Sequence, residues 1–194
     1  MRVHAHKRGL RALGVAESFQ KGASDFSVLA GVVMRGDLQI DGFGLTTITV
    51  GGMDGTEGVL RLFSELERRD INLLLLNGCI ISWYNIVELD KVYAAIERPL
   101  ICVTYEESGG LEGYFKENFM DWEVRVEVYR RLGKRVPIDL HTGHRVLVRY
   151  LGIKDEREAK ALLDRFTLQG SVPEPLKVAR LLARAAMRSS PGGD

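Results

Sequence analysis

Apolar residues in this chain follow two rhythms, short unbroken runs and stripes at helical spacing, and their alternation predicts most of the fold. Arg11 to Val15 is apolar and ends at Glu17 and Ser18, which suits a strand feeding a turn at Lys21-Gly22-Ala23. Phe26 to Met34 (FSVLAGVVM) is apolar on both faces, as a central strand is. Arg35-Gly36-Asp37 turns the chain, and Leu38 to Val50 returns as an antiparallel strand rich in Ile and Thr. After Gly51-Gly52, Asp54 or Thr56 can cap a helix whose Val59, Leu62, Phe63 and Leu66 share one face. Asn72 to Leu76 and Leu100 to Thr104 read as buried parallel strands, with a helix marked by Ile86, Leu89, Tyr93 and Ile96 between them. Helices over 111–119 and 121–132 and a strand over 135–140 follow, while Val146 to Gly152 fits more than one state. Ala159, Leu162, Leu163 and Phe166 stripe one further helix, and Val178, Leu181, Leu182 and Ala185 stripe the last. Strands that alternate with helices after a hairpin predict a mixed α/β sheet with right-handed crossovers.

Composition narrows this picture. With 194 residues, 45% of them hydrophobic, the chain supports one domain around one sizeable core. Residues 1–188 are expected to form that domain, and 189–194, rich in Ser, Pro and Gly, to fray. A formal net charge of +1 excludes a global field that draws the protein to nucleic acid or membrane, so any such affinity must come from a local patch. The basic stretch Met1 to Arg11 lacks the apolar core of a signal peptide, and no apolar run is long enough to cross a bilayer. Cys79 and Cys102 lie in apolar segments without a nearby partner in sequence and read as buried reduced thiols. A cytoplasmic protein is the expectation.

Four motifs carry a family resemblance. Arg11-Ala12-Leu13-Gly14-Val15-Ala16-Glu17-Ser18-Phe19 opens the chain's first strand, and Gly51-Gly52-Met53-Asp54-Gly55-Thr56-Glu57 forms a turn into a helix. Leu76-Asn77-Gly78 is followed by Trp83-Tyr84-Asn85-Ile86-Val87, and Pro173-Glu174-Pro175-Leu176-Lys177-Val178-Ala179-Arg180 opens the last helix. In this order, and over about Arg11 to Met187, they resemble a mostly archaeal family of uncharacterised proteins, domain-of-unknown-function family ninety-nine. That family is in turn similar to endonuclease V, and Thr142-Gly143-His144-Arg145 resembles the latter's Pro-Gly-His-Arg segment. The resemblance implies a ribonuclease H-like fold, a mixed sheet with an antiparallel hairpin followed by parallel strands and flanking helices. It also implies an ancestral Mg²⁺-dependent cut of a phosphodiester near inosine in DNA or RNA.

Such hydrolysis needs an activated water and cover for charge on two oxygens, which two Mg²⁺ ions about 3.5–4 Å apart supply. Mg²⁺ takes carboxylate and water oxygens, so strand ends in these sites converge Asp and Glu. The resemblance places the three polar anchors at Ala16, Asn77 and Arg180, where its relatives carry Asp, Asp and His. Ala16 holds no metal, Asn77 is a neutral and weaker ligand, and Arg180 is always protonated and cannot act as a base. Glu17 and Asp54 are the remaining candidates for catalysis and metal binding. Glu17, however, faces away from its neighbour Ala16 unless the strand has already turned, and Asp54 is equally a helix cap. Glu57 reads as part of a capping pair. Ala16, Asn77 and His144 are expected to line the cleft.

The last helix adds an independent feature. Lys177, Arg180, Arg184 and Arg188 fall on one stripe, which can follow a phosphate backbone or be a solvated charged face. Trp83 and Tyr84 can stack bases or pack under a loop. His141 and His144 share a loop but lack a firm third ligand, and His4 and His6 add little. Three readings follow. The first is an endonuclease V-like protein that binds DNA or RNA, with a depleted carboxylate site, weak or no nuclease activity and no cofactor. The second is an active Mg²⁺-dependent endonuclease on inosine-containing or structured DNA or RNA, through Glu17 and Asp54. The third is a protein-interaction module on a nuclease scaffold.

Overall fold

The unbroken apolar runs pair side by side into one seven-stranded sheet, because strands without a polar face must be covered on both sides. The computed structural model describes residues 9–20, 22, 24–107 and 109–189. His4, His6, most of the basic N-terminal stretch, Lys21, Ala23 and the tail after Ser189 lie outside the described residues.

Strands β1 (Arg11–Ser18), β2 (Phe26–Arg35) and β3 (Ile40–Thr49) form an antiparallel meander. Helix α1 (Gly55–Glu65) leads to β4 (Leu73–Asn77), which pairs parallel to β1 with Val15 opposite Leu76. A small hairpin, β5 (Ile80–Ile81) and β6 (Asn85–Ile86), precedes α2 (Leu89–Ile96) and β7 (Leu100–Thr104), which runs parallel to β4. Helices α3 (Glu112–Asn118) and α4 (Trp122–Arg131) come next, and β8 (Val136–Asp139) and β9 (Arg145–Leu151) then close the sheet. The chain ends in α5 (Glu156–Phe166) and α6 (Glu174–Ser189), and the strand order is β3-β2-β1-β4-β7-β9-β8. Val146 to Leu151 is thus strand, antiparallel to β7. The apolar Ile86 belongs to β6, and α2 begins only at Leu89.

Side-chain alternation divides the core into two layers. Leu13 and Val15 of β1 and Leu74 and Leu76 of β4 pack with Leu62 and Val92 on one face. Leu73 and Leu75 pack with Leu162, Phe166 and Leu176 on the other. Asp155 caps α5 by accepting the Glu158 amide at 2.9 Å.

Helix α6 lies differently from its sequence pattern. Its buried stripe is Leu176, Ala179, Ala183 and Met187, while Leu181 is exposed and Ala185 lies in solvent. Two alanines take the middle of that stripe because the helix runs close over the sheet. A Cβ on Gly14 would lie 2.5 Å from the Pro175 carbonyl carbon, so only glycine admits that approach.

At the sheet edge, arginines from the α1 side reach β3. Arg61 donates to the Thr46 hydroxyl and the Thr47 carbonyl, and Arg68 donates to the Asp41 carbonyl. Cys79 and Cys102 are both buried, as their apolar settings predict. They are nevertheless neighbours, with sulfurs 2.6 Å apart, because β4 and β7 are adjacent strands.

Candidate functional site

Parallel strands in an α/β sheet end on the same side, and ligands bind beyond those carboxyl ends. Here β1, β4 and β7 finish together. One step past the Val15–Leu76 pair come Ala16 and Asn77, the two positions where the resemblance places carboxylates. Ala16 packs with Val32 and Ala179 under α6. Asn77 follows the alternation of Leu73 and Leu75 onto that same face. Its Oδ1 is buried without a hydrogen-bond partner among the described residues. Tyr105, just after β7, buries an equally unpartnered hydroxyl. Burial holds this phenol above its ordinary range, and the nearby charge of Arg180 works against that rise. Arg180 is half-buried on the flank of α6, next to Ala179, and has no acidic partner among the described residues. One end of the sheet therefore gathers a guanidinium and two buried polar groups with unused bonding capacity.

The two candidate carboxylates sit elsewhere. Glu17 points to the opposite face from Ala16, as strand alternation requires. Its Oε2 accepts the Ser27 hydroxyl at 3.2 Å. Burial pushes this carboxyl up, partly offset by the Ser27 hydroxyl and the Ser82 backbone amide. Asp54 stands at the N-cap position of α1 without making a side-chain cap hydrogen bond. Its oxygens accept the Thr49 amide at 3.0 and 3.1 Å, the Thr49 hydroxyl at 2.9 Å and the Asn85 amide at 2.7 Å. Burial opposes ionisation of Asp54, but the Asn85 and Thr49 donors outweigh it and hold the carboxyl below the usual range. Glu17 and Asp54 each bond the hairpin β5–β6, through Ser82 and Asn85, yet share no hydrogen-bond partner among the described residues. Among the described residues no three His, Cys, Asp or Glu side chains converge as a metal cage.

That hairpin is the feature the sequence pattern missed. Ser82, Trp83 and Tyr84 all adopt left-handed backbone, with φ of 45°, 56° and 66°. None is glycine, so the turn stores strain of a kind that gathers at functional sites. Arg125 of α4 holds it in place. This buried guanidinium donates to the carbonyls of Gly51 (2.8 Å), Gly52 (3.1 Å) and Tyr84 (3.2 Å) and pairs with Asp121 at 2.8 Å. It also lies over the Phe119 ring, 3.8 Å from the centroid. Trp83 and Tyr84 both pack against Phe119. An arginine in a helix otherwise striped with valine was the only signal in the sequence.

The remaining predicted residues are spread out. Lys177 is tied to Glu174 at 2.6 Å, whereas Arg184 and Arg188 project into solvent. His144 is exposed, its Nδ1 lying 3.2 Å from the Thr142 carbonyl of its own turn. His141 pairs with Asp164 at 3.2 Å and is not joined to His144.

A family model described as endonuclease dU matches residues 8–187. The chain belongs to the endonuclease dU family. Among its family relatives, a UPF0215 protein of Pyrobaculum aerophilum is 37% identical over 175 residues, covering 90% of this chain and 92% of its own. A crystallised Archaeoglobus fulgidus protein of unknown function superposes with a TM-score of 0.78 at 23% identity, over 93% of this chain and 99% of that one. Endonuclease V of Ciona intestinalis, crystallised with a 24mer DNA containing an inosine followed by a ribo-adenosine, gives 0.61 at 14% identity, over 97% and 91%. The fold is therefore that of endonuclease V, a ribonuclease H-like mixed sheet. No helix among the described residues is long and apolar enough to cross a membrane.

Proposed function

We propose that this endonuclease dU family member binds DNA or RNA across the carboxyl edge of its sheet, and that its cation-dependent cleavage is weak or lost. The observation that carries this reading is Arg180, which has no acidic partner among the described residues and whose charge reaches the buried Tyr105 hydroxyl, on the face that holds Ala16 and Asn77. A guanidinium with free donors binds a phosphate by paired hydrogen bonds. Arg184 and Arg188 extend the positive charge along the exposed flank of α6.

The donor set argues against Mg²⁺ at this position. Mg²⁺ requires near-octahedral oxygen ligands, usually carboxylates. Ala16 offers none, Asn77 offers one neutral oxygen, and Arg180 repels a cation. Glu17 faces the other side of the sheet, and Asp54 spends its lone pairs on Thr49 and Asn85. The second reading, a Mg²⁺-dependent endonuclease acting through Glu17 and Asp54, draws on the family's description and on their common hairpin.

Fluorescence anisotropy tests binding and a gel assay tests scission, each with single-stranded and duplex oligonucleotides carrying deoxyuridine, inosine or neither. Binding should weaken steeply with salt, and the Arg180→Ala, Arg184→Ala double variant should flatten the duplex salt slope by about 2, at about 0.9 per lost phosphate contact. Absence of binding at low salt refutes the proposal. Scission in Mg²⁺ or Mn²⁺ that disappears in Glu17→Ala or Asp54→Ala establishes the second reading in its place.

A further inference from the structure

We propose that Cys79 and Cys102 form an intramolecular disulfide that fastens the base of the β5–β6 hairpin to β7. Their sulfurs stand 2.6 Å apart, only about 0.6 Å beyond a bonded S–S pair. The approach is built into the topology. Cys102 is paired in register with Leu76 at the end of β4, and Gly78, at φ of 90°, turns the chain so that Cys79 returns over its neighbour strand. Cys79 then anchors the hairpin, its carbonyl accepting the Val87 amide at 2.8 Å.

The surroundings favour the chemistry. Thiolate is the attacking species in disulfide exchange, and a nearby cation promotes it. The Arg149 guanidinium lies 3.6 Å from the Cys79 sulfur. Contact with Cys102 and the charge of Arg149 lower the Cys79 thiol despite its burial, whereas burial raises Cys102. Cys79, the sulfur that the Arg149 guanidinium touches, is the attacking one and Cys102 the resolving one. The oxidant is a small-molecule disulfide. Cys79 thiolate attacks one of its sulfurs, forming a mixed disulfide and expelling one thiolate. Cys102 then loses its proton and attacks the Cys79 sulfur, expelling the second. Two protein thiols become one disulfide, and the small disulfide becomes two thiols. Because both cysteines are buried, the exchange takes place as the chain folds or when the hairpin opens.

The consequence lies in the hairpin, whose Ser82 and Asn85 bond Glu17 and Asp54. A covalent link at its base keeps both contacts and the left-handed turn in place.

The full-length protein, equilibrated with oxidised glutathione, is unfolded in guanidinium chloride with a maleimide and weighed by mass spectrometry. The expected product carries no label, and prior reduction adds two. Reduction should also lower Tm by about 7–14 °C, from the entropy of closing a loop of this length and the sensitivity of a domain of this size. A Cys102→Ala variant should show no response to reductant. Two labels on the oxidised sample, glutathione retained on either cysteine, or a wild-type Tm indifferent to reductant would each overturn the proposal.

Discussion

Arg125 ties two backbone turns, Gly51-Gly52 and the one at Tyr84, to α4 through a single side chain. Its truncation to alanine removes four charge-assisted hydrogen bonds and a ring contact at once, and leaves the Gly51, Gly52 and Tyr84 carbonyls facing a void. Hydrogen bonds to charged groups each contribute about 1.5–3 kcal/mol, and a desolvated cation–π contact about 2 kcal/mol. These figures do not add, since burying the guanidinium costs several kcal/mol that the variant no longer bears. A net loss of about 3–5 kcal/mol is the expectation, equal to a fall in Tm of about 6–20 °C for a domain of this size. Arg125→Lys should recover little, because one ammonium cannot reach three carbonyls on two turns. Urea unfolding followed by circular dichroism measures the loss, and near-ultraviolet signals of Trp83 and Trp122 report whether the turn loosens first. A loss below about 1 kcal/mol would mean that the turns hold themselves, and the assignment of Arg125 as their clamp would fail.

Two further predictions concern the sheet. Burial raises the Glu17 carboxyl in the folded state, so its contribution to stability is fully present below the unfolded pKa and is lost as pH rises through the folded value. Glu17→Gln should therefore be the more stable protein at pH 7, with the advantage shrinking towards pH 4; a pH-independent difference in Tm would refute this. Gly14→Ala places a methyl 2.5 Å from the Pro175 backbone and should cost about 1–3 kcal/mol, read from the denaturation midpoint. An unchanged midpoint would show that α6 does not rest on β1 as tightly as its geometry states.

Much of the architecture was legible because its strands are continuous apolar runs. Leu100–Thr104 is a strand with the predicted limits, and β2 differs by one residue. The family resemblance singles out Ala16 and Asn77, and two parallel strands that end side by side bring them together. The face of α6 is hard to read because alanine carries little hydrophobic signal, yet Ala179 and Ala183 are buried against residues of β1 and β2. The β5–β6 hairpin escaped notice because its strands are two residues long and its turn uses Ser-Trp-Tyr instead of Asn-Gly. Asp54 could be read as a cap or as a ligand. It bonds Thr49 and Asn85, a choice fixed by the fold of three separate segments. The meeting of Cys79 with Cys102 depends on strand order, which spacing along the chain does not encode.

The arginines along β3 bear on self-association. An outermost strand normally offers a ladder of vacant carbonyls to any passing chain. Guanidinium groups already occupy those of Asp41 and Thr47. An incoming strand would have to evict two cations before it could add itself to the sheet, so this flank resists fibril growth even though Phe43 and Leu45 are greasy and open to water.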